Sequence, residues 1–255
     1  MTFEGVAELP LPEPEPGPGK GPEAEMGWIR KGAWRPDQCL SMDAYFGGLR
    51  VDPFRSYPEP WKPHMPALAD HYIVQMARDI PELDQPGNRG LLRSRWFPLV
   101  LSDAAPFHVV MLLSAANYAS VHSIHGLGCH LLRMKHEAIA AINHAFRRSE
   151  DPSADDALIG AVAKMASFEA MHGDVASYRV HMDGLERMLA ARGGLHRLGL
   201  GGLLRRMIVW IDLNASFLLD VPRYFPGTTF TGAEQQPHRE VVEVLEPNPE
   251  RFIAV

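Results

Sequence analysis

The stretch LLRRMIVWIDLNASFLL, residues 203–219, decides the fold class of this chain. Placed on a helix, its apolar side chains cover most of the circumference, which is typical of a helix at the centre of a protein. From residue 66 onward, no run alternates apolar and polar residues with a period of two and ends in hairpin turns. The sequence therefore predicts an all-α fold, a single helical domain of about six or more packed helices.

Five more helices are expected on the N-terminal side of this one. Apolar residues recur at helical spacing in each of them, and prolines, glycines or capping residues separate them. They include the segments HYIVQM (71–76), SDAAPFHVVMLLSAANYAS (102–120), HLLRMKHEAIAAINHAFRR (130–148), SADDALIGAVAKMASF (153–168) and YRVHMDGLERMLAARGGL (178–195).

The last two of these helices carry signals for where they begin and end. Ser153, followed three residues later by Asp156, resembles a capping box, and an apolar stripe from Leu158 to Phe168 would form one buried side of that helix. Asp174 is expected to cap the next helix, and Gly193 is expected to end it in the left-handed conformation.

Composition divides the chain into three parts. Residues 1–50 begin with a run of Pro, Glu and Gly that buries too little apolar surface to offset the entropy of ordering, so a disordered N-terminal arm is expected. Residues 51–226 would hold the helical domain. Residues 227–255 are expected to form an irregular C-terminal tail, with a truncated domain as one interpretation.

Charge and cysteine content disfavour several functional classes. The formal net charge of −6 provides no basic footprint for phosphates, so we expect no direct nucleic-acid binding by this chain. Two cysteines are too few for a disulfide framework, and the first residues do not resemble a secretion signal, so a reducing compartment is expected. Ser102–Asp103, Asp212 and Asn214 interrupt the two most apolar stretches, and no membrane span is predicted.

No motif in the chain predicts a cofactor. The glycine-rich segment LGLGG (198–202) has neither a preceding strand nor the lysine of a phosphate-binding loop. The basic pairs Arg147-Arg148 and Arg205-Arg206 are isolated, and we expect both on solvated faces. The sequence thus predicts no bound nucleotide.

Four polar residues on otherwise apolar helices are the main site candidates: Glu169, His181, Arg192 and Asp212. One interpretation is a catalytic pocket formed by Glu169, His181 and Asp212, with paired carboxylates doing acid–base work. The other is a buried polar network in which the carboxylates pair across helices with His181 or with an arginine at 179, 192 or 205, because ionised groups survive burial only when paired. Both interpretations predict that Glu169 and Asp212 are at least half buried.

A weaker candidate is a metal site in HSIHGLGCH (122–130). His122, His125 and Cys129 offer imidazole and thiolate ligands within a short span. Gly126 and Gly128 break the regular helix that would align these side chains, so coincidental spacing is the preferred interpretation and no metal is predicted.

Several stretches resemble the fungal-specific transcription factor domain that follows binuclear zinc-cluster DNA-binding modules. The resemblance spans roughly residues 51–226. Its motifs are VDPFRSYP (51–58), WFPLVLSD (96–103) with the following FHVVMLLSAANYAS, LLRMKHEAIAAIN (131–143), FEAMHGDVASYRVHMDGLERMLAARGGL (168–195) and LLRRMIVWIDLNASF (203–217).

The resemblance implies a helical regulatory domain that acts through effectors, intramolecular contacts or co-regulators, with no catalytic residues. It implies a nuclear location, with the cytoplasm as the alternative, and protein or small-molecule partners, including a further copy of the chain. The zinc cluster of the family needs six closely spaced cysteines that this sequence lacks, so DNA reading is not inherited. A general helical scaffold stays open as an alternative function.

Overall fold

The computed structural model describes residues 56–230 and 245–254. Within these ranges the regular secondary structure is helical, and the only bridge of strand type joins Gln85 to Asn88. The predicted all-α class is therefore confirmed. The predicted disordered arm, residues 1–50, lies outside the described residues.

Eight α-helices are found in the described part of the chain. The first, α1, continues into a π-helical turn at Tyr72–Met76, and a second π-helical turn at Leu92–Trp96 leads into α2. The helices are α1 (Met65–His71), α2 (Phe97–Val100), α3 (Ala104–Val121), α4 (Gly128–Arg148), α5 (Asp156–His172), α6 (Val175–Arg192), α7 (Leu203–Leu219) and α8 (Pro249–Ile253).

Aspartate side chains cap three of the long helices. Asp103 caps α3, Asp155 caps α5, and Asp174 caps α6, each by accepting a hydrogen bond from a first-turn N–H. Gly193 ends α6 with φ of 91°, as expected. The predicted capping box at Ser153 is wrong, because the Asp151 side chain holds Ser153 in a separate 3-10 turn before α5 begins.

Helix α5 lies at the centre of the domain and packs against α3, α4, α6 and α7. Every residue from Ala157 to Met171 is buried, so the expectation of a single buried stripe is too narrow. Its other sides carry Ala and Gly, which let neighbouring helices approach closely. A Cβ added at Gly160 would lie 2.4 Å from the Trp96 ring. Helix α7, expected to be central, is also buried along most of its length.

Helix α3 is the one described helix that is long and apolar enough to cross a membrane by length and composition. Ser102–Asp103 precede it and do not shorten it. Its mean hydropathy is 1.3, and 72% of it is buried against the rest of the protein. The same profile belongs to the core helix of a globular fold.

The end of the chain returns to the core. Phe252 of α8 is fully buried and meets Trp210 edge to face, with 5.0 Å between ring centroids. Asn214 accepts a hydrogen bond from the Asn248 N–H, and Asn117 donates to the Ile253 carbonyl. Residues 227–255 were expected to be irregular, but a docked short helix lies within them because one aromatic side chain fills a place in the core.

Candidate functional site

Glu169 in the last turn of α5 is the centre of a charged cluster. Its side chain is fully buried. Lys135 reaches it from α4, with Nζ 2.8 Å from Oε1 and 2.9 Å from Oε2, and only the Oε2 contact has hydrogen-bond geometry. The Lys135 ammonium also lies 5.8 Å from the centroid of the Phe168 ring. The contact between this buried carboxylate and the Lys135 ammonium joins α4 to α5.

Two histidines flank the Glu169 carboxylate. His181 of α6 places Nε2 3.8 Å from Oε1 of Glu169, and this contact is an ion pair only when the imidazole is protonated. Burial lowers the pKa of His172 to about 4, and the Glu169 charge opposes this only in part. His172 is therefore neutral at physiological pH.

Gly173 provides the space that the Glu169 carboxylate occupies. A Cβ at residue 173 would lie 1.9 Å from Oε2 of Glu169. The absence of a side chain lets the carboxylate lie beside the chain where α5 ends, one residue before the Asp174 cap of α6. The local sequence thus positions this acid at the junction of three helices.

Asp212 belongs to a different group of contacts. Its carboxylate accepts hydrogen bonds from Arg223 Nε at 3.0 Å, the Tyr224 N–H at 2.7 Å and the Phe225 N–H at 3.1 Å. The Tyr224 hydroxyl in turn donates to Asp183 of α6. Asp212 therefore fixes the segment that follows α7.

Arg192 belongs to a third group. It donates to Asp156 Oδ1 at 2.6 Å and to the Ser153 carbonyl at 3.0 Å, and it also donates to the Arg197 carbonyl. These bonds tie the end of α6 to the start of α5. They involve neither Glu169 nor Asp212.

The four candidates therefore do not form one network. Glu169 and His181 lie together, while Asp212 and Arg192 each have partners of their own. The expectation that Glu169 and Asp212 are buried is confirmed, with 1% and 0% of their surface exposed. Neither carboxylate, however, is paired with an arginine at 179, 192 or 205. A pocket built from Glu169, His181 and Asp212 requires three side chains in one place, and the hydrogen bonds and ion pairs divide them.

The metal candidate is not assembled. His122 stacks on Tyr118 at 4.0 Å between centroids, and its Nδ1 is 2.9 Å from the Tyr118 carbonyl. His125 is exposed in the loop before α4, and Cys129 lies in the first turn of α4. Within residues 56–230 and 245–254, no three His, Cys, Asp or Glu side chains come close enough to hold a metal.

Two buried cations were missed by the sequence reasoning. Arg206, expected on a solvated face, has only 7% of its surface exposed, and Lys164 of α5 has 2%. The signal for Lys164 was its place among apolar residues on both sides in KMASF and IGAVAK. Arg206 lies one turn into a helix that is apolar on almost all sides, and this position likewise indicates burial.

A comparison with family models decides what kind of domain this is. The model described as "Fungal specific transcription factor domain" matches residues 67–248, which is well over half of the 255 residues. The chain belongs to this family. No curated protein and no solved structure matches it.

Two of the stretches that carry the sequence resemblance make structural contacts in this fungal transcription factor domain. In WIDLN, Asp212 holds the segment after α7 and Asn214 holds the segment before α8. In RGGL, Gly193 provides the left-handed residue that ends α6. Residues in both stretches thus hold the ends of α6 and α7 in place.

Proposed function

We propose that this chain is a transcription-regulatory domain that acts through a protein partner or a small-molecule effector and does not itself read DNA. The observation that carries the proposal is the family match across residues 67–248. A net charge of −6 and a content of two cysteines support the second half, because phosphate recognition favours a basic surface and a binuclear zinc cluster needs six cysteines. The family also favours a nuclear location.

The charged side chains of the core favour a structural role over a catalytic one. Lys135 pairs with Glu169, Arg223 with Asp212, and Asp156 with Arg192. Acid–base catalysis needs a group within hydrogen-bond reach of a substrate, with a pKa suited to proton transfer. These carboxylates are instead engaged by fixed cations, so we assign them to stability.

The experiment is a tethering assay in a fungal cell. The full chain is fused to an unrelated DNA-binding module and placed upstream of a reporter, with the module alone as the control. The fusion should change reporter output in either direction. The untethered chain should be nuclear as a fluorescent fusion and should give no sequence-specific shift with genomic DNA fragments.

Two results would contradict the proposal. Tight, sequence-specific DNA binding by the untethered chain would overturn the statement that it does not read DNA. A silent fusion, together with a stable partner outside the nucleus, would favour a general helical scaffold instead.

A further inference from the structure

No side chain caps the beginning of α7. Its N-cap residue is Gly202, with φ of 81°. The preceding residue, Gly201, is exposed. A helix of 17 residues begins here, directly after a 3-10 turn whose Leu200 carbonyl accepts the Leu203 N–H. The other N–H groups of the first turn and the positive end of the helix dipole favour a negative charge.

An arginine with unused donors points at the same place. Only 7% of the surface of Arg206 is exposed, and its Nε donates a hydrogen bond to the Leu83 carbonyl at 2.8 Å. Its Nη2 is buried with no hydrogen-bond partner. Its Nη1 is directed at the helix start, since a Cβ on Gly202 would lie 3.2 Å from it.

The guanidinium lacks a countercharge in contact. Burial lowers the pKa of Arg206, and the Asp84 carboxylate opposes this through its charge. Among the described residues, however, no acid lies within ion-pair distance of Arg206, and Asp84 Oδ1 accepts the Leu91 N–H instead. The position is therefore one where an added anion would gain a charge-assisted contact.

We propose that the N-terminus of α7 and the guanidinium of Arg206 form a binding site for the oxyanion group of a small-molecule effector, a phosphate or a carboxylate. Glycine at 202 leaves the approach open, because any side chain there would crowd Nη1. The guanidinium offers a flat donor edge that suits two oxygens of one group, and the helix N–H groups supply further donors.

The site is joined to two other parts of the domain. Gln85 donates from Nε2 to the Gly201 carbonyl, and Leu83 receives the Arg206 bond, so the loop between α1 and α2 lies against the start of α7. In the same loop, Glu82 accepts two hydrogen bonds from Arg251 of α8, each 2.8 Å long. An anion that draws the guanidinium towards the helix start would act on the contact that holds this loop.

The test is a titration of the full chain followed by amide chemical shifts. One arm uses inorganic phosphate and the other acetate, each at constant ionic strength against chloride. Saturable shifts should appear at the amides of residues 203–205, and the arm with the tighter binding identifies the chemical class. Arg206→Gln should weaken that binding by about tenfold or more, because a charge-assisted bond is lost. Arg148→Gln, at an exposed arginine paired with Asp103, should leave it unchanged.

The wild-type titration keeps the proposal open to refutation if Arg206→Gln does not fold. Absence of any saturable shift at residues 203–205 up to tens of millimolar of both anions overturns the site. So does a folded Arg206→Gln that binds as tightly as the wild type.

The effector role rests on the regulatory function proposed above, and the two can fail separately. A reporter response without any saturable anion shift overturns the site and leaves the regulatory role in place. Saturable binding with a silent reporter supports the site and counts against the regulatory role.

Discussion

Replacing Lys164 with methionine should stabilise the protein. Lys164 lies in the middle of α5 with 2% of its surface exposed. Among the described residues its Nζ has no hydrogen bond or ion pair, and burial alone lowers the pKa of its ammonium group from 10.5 to about 8. The group is therefore still charged at neutral pH, in surroundings that disfavour the charge.

The size of the effect follows from this pKa. One pKa unit corresponds to ~1.4 kcal/mol between the charged and neutral forms, so the lowered pKa corresponds to about 3 kcal/mol of lost stability at neutral pH. Methionine has a similar length and carries no charge to bury. We expect Lys164→Met to raise the free energy of unfolding by about 2–3 kcal/mol.

The gain should depend on pH in a defined direction. Between pH 8 and 10.5 the unfolded chain keeps the Lys164 proton and the folded protein releases it, so folding becomes more favourable as the pH rises. The penalty is complete below pH 8 and disappears towards 10.5. The advantage of Lys164→Met over the wild type should therefore be largest at neutral pH and shrink through this window.

Urea denaturation of both proteins, followed by circular dichroism across this pH range, measures the difference directly. The matched control is Lys135→Met, which leaves the buried Glu169 without its cation and should lower the free energy of unfolding by about 3–5 kcal/mol. The reasoning is refuted if Lys164→Met is less stable than the wild type at neutral pH, or if its advantage does not change with pH.

Two further predictions concern packing and the segment after α7. Gly160→Ala should lower the free energy of unfolding by about 1–3 kcal/mol, because the new Cβ would lie 2.4 Å from the Trp96 ring, whereas Gly184→Ala, with open space around it, should raise it by about 0.5–1 kcal/mol. Thermal denaturation of the pair measures both, and effects of the same sign would contradict the packing described. Asp212→Asn should cost about 1–3 kcal/mol and increase amide hydrogen exchange at residues 224 and 225, whose N–H groups it now binds; unchanged exchange there would show that the carboxylate does not hold this segment.

Helix ends were predicted well where a single residue decides them. Asp174 accepts a hydrogen bond from Ser177, three residues along the chain, and Gly193 adopts a conformation that glycine alone tolerates easily. Both effects are local, so sequence spacing is sufficient. The failure at Ser153 has the same local character, because Asp151 accepts the Ser153 N–H and Asp155 takes the capping role at α5.

Partners of the buried charges could not be predicted from spacing. Glu169 pairs with Lys135, which is 34 residues away on α4, and Asp212 pairs with Arg223 in a segment without regular structure. Which cation reaches a carboxylate depends on how helices lie against one another. Helical periodicity shows only that a residue faces the core.

The burial of α5 on all sides could not be predicted for a different reason. Its additional buried sides are rich in small residues, five alanines with Gly160 and Ser167, which contribute little to an apolar stripe. Small residues allow close approach, so they indicate burial only when the neighbour is known. Here the neighbour is Trp96, from the π-helical turn before α2.

The balance of buried charges separates structural residues from candidate functional ones. Glu169 and Asp212 are each met by a cation, and Asp212 also by two backbone N–H groups, so their burial is compensated. Lys164 and Arg206 have no anion in contact among the described residues. A protein departs from consistent pairing mainly at functional sites. Only Arg206 combines the missing countercharge with a helix start that favours an anion. For that reason we place the proposed effector site at Arg206 and not at Glu169 or Asp212.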